Sequence, residues 1–127
     1  MFLGVDLGQK TTGLATSYGQ LASPYKTITH ISNAEAVEKI DQIIRELNVD
    51  TLVLGVVEGK IKSLFENFAK KIKAQNSSLN IVLHDETLTT RQAIDTMIKL
   101  QVPKKKRGQR EHEVAAAIIL QSYLDSI

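Results

Sequence analysis

The side chains best suited to chemistry fall at three places along the chain. Asp6 ends an apolar run in "MFLGVDLG", two residues before Gly8. Asp85 and Glu86 end another in "NIVLHDE", and His112 and Glu113 open "REHEVAAAIILQSYLDSI". A carboxylate at a strand end with a glycine just beyond it stands where a ligand can approach the backbone closely. Asp6 reads equally well as a residue closing a turn. Asp85 and Glu86 in isolation read as a charged turn before a helix capped by Thr89 or Thr90. Side chains alternate along a strand, so only one of these two acids can face a site shared with Asp6.

On a helical wheel, Ala116, Ile119, Leu120 and Tyr123 share one side of the last segment, and Gln121, Ser122 and Asp125 the other. His112 falls inside the apolar sector, Glu113 at its edge and Glu111 on the wet side. The expectation is a helix whose first turn aims a histidine, with a glutamate beside it, at the end of a sheet. Converging carboxylates suit hard divalent cations, which also keep waters and substrate phosphate in their shells. Two such ions about 3.5–4 Å apart can activate a water and stabilise the leaving oxygen of a phosphodiester. Mg²⁺ is the expected ion and Mn²⁺ the alternative.

These residues need elements to bring them together. "MFLGVDLG", "TGLATSYG" and "QLASPYKTIT" are punctuated by Gly8, Gly19 and Pro24, which predicts consecutive antiparallel strands. Ser32 and Glu35 form a capping box before Val37, Ile40, Ile44 and Leu47, an apolar stripe at helical spacing. "DTLVLGVV" and "LNIVLH" are continuous apolar runs of the kind found in strands buried on both faces. Between them Ile61, Leu64, Phe65, Phe68 and Ile72 trace a second helix. A third carries Ile94, Met97 and Ile98, and the last is apolar over most of its surface. The predicted order is βββαβαβαα, an α/β arrangement with a mixed five-stranded sheet and helices on both faces. Ligands in such sheets gather at the carboxyl ends of strands, where Asp6 and the Asp85–Glu86 pair are expected.

The chain has 127 residues, expected to form one domain over 1–127, and hides roughly two-thirds of its unfolded surface if so. No apolar run approaches the ~20 residues of a membrane span, and the start lacks the pattern of a signal peptide. No cysteine is present, which excludes thiolate chemistry and fits a cytoplasmic protein. A net charge of +2 sets up no global field, but "KKKRGQR" at 104–110 holds five cations and no anion.

Three stretches together resemble the YqgF/RuvX family of pre-16S rRNA nucleases and Holliday-junction-resolvase-like proteins. "GVDLGQKTTGLATS" is similar to the family's opening motif, with Lys10 at its basic position. "HDETLTTRQA" resembles the motif around the second acid, and "KKKRGQREHEVAAAIILQSYLDS" the basic loop and final helix. The resemblance implies an RNase H-like fold and a metal-dependent nuclease acting on precursor rRNA or branched DNA. It makes Asp6 and Glu86 catalytic acids and metal ligands, and Asp85 the residue that turns away. It aligns His112 with the family's last aspartate, so His112, with Glu113 beside it, becomes the expected third ligand. Lys10, Lys104, Lys105, Lys106, Arg107 and Arg110 are the expected nucleic-acid contacts. Thr87 stands where the family has arginine, and the loop after Gly55 lacks the family's proline.

A second reading follows from the histidine: a nucleic-acid-binding module of the same fold, impaired in catalysis. A third, an ATPase of the actin and sugar-kinase kind, shares a motif like "GVDLGQKTTG" but needs two such domains. A monomer and a homodimer are both compatible with the sequence.

Overall fold

The computed structural model describes residues 1–57, 62–86, 89, 91–100 and 111–127, with Lys62 and Leu100 described by their backbone. The basic run, Thr87 and Thr90 lie outside the described residues.

Among the described residues, five strands and four helices follow one another as the sequence predicts. They are β1 (Phe2–Leu7), β2 (Thr11–Ser17), β3 (Ser23–Thr29), α1 (Asn33–Leu47), β4 (Thr51–Val56), α2 (Lys62–Gln75), β5 (Asn80–Asp85), α3 (Arg91–Leu100) and α4 (Glu111–Ser126). The sheet order is β3-β2-β1-β4-β5. The first three strands form an antiparallel meander, while β4 and β5 run parallel to β1. Parallel neighbours need long crossovers, and α1 and α2 supply them.

Two cores lie on the two faces of this sheet. On one, Leu3, Val5, Leu14, Leu52 and Leu54 pack with Val37 and Ile40 of α1 and Phe65 and Phe68 of α2. On the other, Ala15 and Val53 pack with Ala116, Ile119 and Leu120 of α4 and Met97 of α3. Period-2 alternation along buried strands makes this division possible. Ser32 caps α1, its Oγ accepting the Glu35 amide at 3.1 Å, as expected from the capping box.

Glycines let α4 lie low on its face. A Cβ on Gly4 would stand 2.8 Å from the Leu120 Cβ, and one on Gly13 only 1.8 Å from the His112 carbonyl oxygen. No other residue fits at Gly13 unless the first turn of α4 lifts.

Candidate active site

The alternation of β1 decides where Asp6 points. Gly4, two residues earlier, faces α4, so Asp6 faces α4 as well. Its partner across the antiparallel ladder is Gly13, on which the backbone of His112 and Glu113 rests. On the other side of Asp6, the β1–β4 ladder reaches Val5↔Leu54, and one step beyond lie Asp6 and Gly55. Asp6 is therefore flanked by two glycines: the first turn of α4 settles over Gly13, and Ile119 and the Glu86 carboxylate stand over Gly55.

Glu86 reaches over Gly55 from β5. Gly55 pairs with His84, and His84 faces α4, its Nε2 lying 3.3 Å from the Ser122 Oγ. Glu86, two residues on, therefore shares that face, while Asp85 turns to the opposite one. The Glu86 Oε1 lies 3.2 Å from where a Cβ on Gly55 would stand. A cavity of about 210 Å³ results, lined by Asp6 and Glu86 together with Thr89, Ile94, Ala115, Ile118 and Ile119. Thr89 donates its amide to the Glu86 carbonyl at 3.1 Å, which ties the wall to the acid. Asp6 and Glu86, at the ends of β1 and β5, thus line one cavity.

The first turn of α4 is arranged differently from the helical wheel. Glu113 is the buried acid, at 7% exposure, whereas the His112 side chain is 45% exposed. The His112 Nε2 lies 3.5 Å from the Thr11 Oγ1 and 3.8 Å from a carboxylate oxygen of Glu111. Neither His112 nor Glu113 lines the cavity of Asp6 and Glu86. Among the described residues, no three His, Asp or Glu side chains are grouped closely enough to hold one ion. Lys10 is exposed in the turn between β1 and β2. Lys104, Lys105, Lys106, Arg107 and Arg110 lie outside the described residues.

Sequence reasoning missed the apolar wall. Ala115, Ile118 and Ile119 follow the i, i+3, i+4 spacing of one helix face, so the signal was present in "AAAIIL". Nothing in the sequence marked His84 as the buried support of this face, with its ring edge-on to Tyr123 at 6.2 Å. Burial pushes the His84 pKa below the ordinary histidine value, against the opposing charge of Asp85.

The donor set fits a hard divalent cation. Mg²⁺ is commonly held by one or two carboxylates, with waters and substrate phosphates completing its shell. Asp6 and Glu86 supply such a pair in one cavity, and a Cβ at Gly55 would crowd two of its lining side chains, Glu86 and Ile119. Two carboxylates in one cavity repel each other, and a divalent cation between them turns the repulsion into attraction.

Comparison with known proteins places the chain among nucleases and resolvases of one family and fold. A family model described as "RuvX: Holliday junction resolvase" matches residues 1–126. A protein of Geobacillus thermodenitrificans named "Putative pre-16S rRNA nuclease" is 40% identical over 134 residues, covering 98% of this chain and 96% of the relative. One of the same name from Clostridium acetobutylicum is 36% identical, covering 98% of each. Among solved structures, the fowlpox virus resolvase in complex with Holliday junction DNA superposes with a TM-score of 0.67 at 16% identity, covering all of both chains. RuvC of T. thermophilus with a Holliday junction substrate gives 0.62 at 12% identity, covering 98% of this chain and 93% of that one. The fold is thus RNase H-like, as in the RuvC-type resolvases.

Proposed function

The chain belongs to the RuvX family, and on that premise we propose that it is a metal-dependent nuclease hydrolysing phosphodiester bonds in structured nucleic acid in the cytoplasm. The observation that carries this reading is the shared cavity of Asp6 and Glu86 at the carboxyl ends of β1 and β5. The relatives' name points to precursor 16S rRNA, and the family description to the four-way DNA junction.

In this reading Asp6 and Glu86 hold Mg²⁺, with Mn²⁺ as a competent replacement. Asp6 and Glu86 would hold an ion that, when bound, would supply Lewis acidity toward a phosphodiester and a more acidic water. Asp6 fixes one side of the site from a strand end, and Glu86 reaches over Gly55 from the other. The apolar wall of Ile94, Ile118 and Ile119 limits the water around the reacting phosphate. His112 and Glu113 contribute from the first turn of α4. The exposed ring of His112 is the member able to reach an incoming ligand, and Glu113 buttresses the turn. Lys10 and the run Lys104, Lys105, Lys106, Arg107 and Arg110 neutralise substrate phosphates.

The test is incubation of the purified protein with a precursor 16S rRNA end and with a four-way DNA junction, each with Mg²⁺, with Mn²⁺ and with a chelator. Cleavage of either substrate that the chelator abolishes is the expected result. Binding of both without cleavage in any metal would contradict it, and would favour the nucleic-acid-binding module.

A further inference from the structure

Behind Asp6, on the face of the sheet away from α4, a buried histidine grips the same turn. His30 follows β3 and is 4% exposed. Its Nε2 lies 2.8 Å from the Oγ1 of Thr12, a fully buried residue of β2. That hydroxyl accepts the amide of Gly8 at 3.5 Å. The backbone amide of His30 donates independently to the carbonyl of Lys10 at 2.9 Å. So one residue holds the turn joining β1 to β2 at two points.

The turn matters because of what it carries. Asp6 precedes Gly8 by two residues, and Thr12 is the cross-strand partner of Leu7. The turn is tight: a Cβ on Gly8 would stand 2.2 Å from the Thr11 carbonyl oxygen. A loose turn would let the end of β1 fray, and the carboxylate of Asp6 would move with it. His30 is itself fixed from behind, since Ser32 caps α1 two residues later. The ring, the buried hydroxyl of Thr12 and the Gly8 amide thus lie in series. A histidine in a polar loop normally faces water, so its burial among these partners asks for a role.

We propose that His30 is a positioning residue for Asp6: through Thr12 and the Lys10 carbonyl it fixes the turn that sets this carboxylate in the cavity. The inference rests on the proposed metal-binding role of Asp6. His30 touches neither ion nor substrate, and it acts through the geometry of one ligand. Groups that orient a metal ligand typically change metal affinity or activity by about 10–100-fold when removed.

The experiment compares the wild type with His30→Leu, His30→Gln, Thr12→Val and the double variant His30→Leu/Thr12→Val. Three quantities are read: exchange of the Gly8 amide by NMR, Mn²⁺ affinity by calorimetry without nucleic acid, and the separate kcat and KM of cleavage. His30→Leu should speed Gly8 exchange, weaken Mn²⁺ binding by about tenfold and lower kcat with KM unchanged. His30→Gln, whose amide can still meet the Thr12 hydroxyl, should recover most of each. The double variant should be no worse in Mn²⁺ affinity than the poorer single variant, because both changes break one chain of contacts. If His30→Leu is too unstable to study, Thr12→Val should give the same pattern of loosened turn and weakened Mn²⁺ binding. Unchanged Gly8 exchange in both single variants would overturn the inference, whatever happens to the metal. So would faster exchange with unaltered Mn²⁺ affinity, which would leave His30 a purely structural residue. A wild type that binds no Mn²⁺ would overturn the metal reading itself, and with it the claim that this turn serves a ligand.

Discussion

The carboxylate of Glu86 and the bare Cα of Gly55 are in close register: Oε1 lies 3.2 Å from where a Cβ would begin. The same Cβ would meet the Ile119 Cδ1 at 2.6 Å. Gly55→Ala therefore has two consequences. Ile119 must change rotamer, costing about 1–3 kcal/mol by overpacking. The Glu86 carboxylate must also give way slightly at the cavity it shares with Asp6. The variant should remain folded, with a lower urea midpoint, and its cleavage should fall far more than its stability. A variant that cleaves like the wild type would show that this cavity is not used.

Glu86 and its neighbour Asp85 provide an internal control, because strand alternation sends them to opposite faces. Glu86→Gln should reduce kcat by about 100-fold or more, the size of effect seen when one group stabilising transition-state charge is lost. Asp85→Asn should be mild. Steady-state cleavage by the two variants decides the matter, and equal losses would mean that β5 is read in the wrong phase.

This pair also shows how much of the site was legible in advance. That only one of the two acids could face the site followed from period-2 alternation alone, and the three-strand meander followed from Gly8, Gly19 and Pro24. The first turn of α4 was not legible. A helical wheel places His112 toward the core, but it cannot know that Gly13 lets the backbone of that turn settle on β2. Once it does, Glu113 is buried and the His112 ring is turned toward Thr11. His30 was invisible for a related reason. Its burial depends on Thr12 and Lys10, about twenty residues earlier, which only the β2–β3 pairing brings to it.

Stability should depend on pH through two buried histidines. Burial pushes His30 below the ordinary value, with Lys39 adding to the effect and Glu35 and the Ser32 backbone opposing it. His84 is lowered by burial against Asp85. The unfolded chain, with histidines near about 6.5, then binds more protons than the folded one in mild acid. The stabilisation is full above about pH 6.5 and is lost as the pH falls through the folded pKa values. Urea midpoints should be level between about pH 7 and 8 and lower near about pH 5.5. His30→Gln should flatten part of that fall. A midpoint that stays level or rises in acid would contradict the assignment.

His112 carries a prediction about metal choice. Imidazole suits transition metals better than Mg²⁺, so Mn²⁺ should support faster cleavage in the wild type. His112→Asp should move the preference toward Mg²⁺, and His112→Ala should lose activity without a comparable loss of stability. Rates in each metal for the three proteins check this. Identical preferences throughout would assign His112 no part in the site and leave the contribution of α4 to Glu113.

The central claim is that Asp6 and Glu86 together hold the ion, and direct titration of metal tests it without relying on turnover. Calorimetry of Mn²⁺ binding to the wild type, Asp6→Asn and Glu86→Gln, with circular dichroism to show that each is folded, is the measurement. The wild type should bind Mn²⁺, and each variant should lose at least about tenfold in affinity, matched by loss of cleavage. Folded variants that bind Mn²⁺ as tightly as the wild type and still cut nucleic acid would contradict the claim.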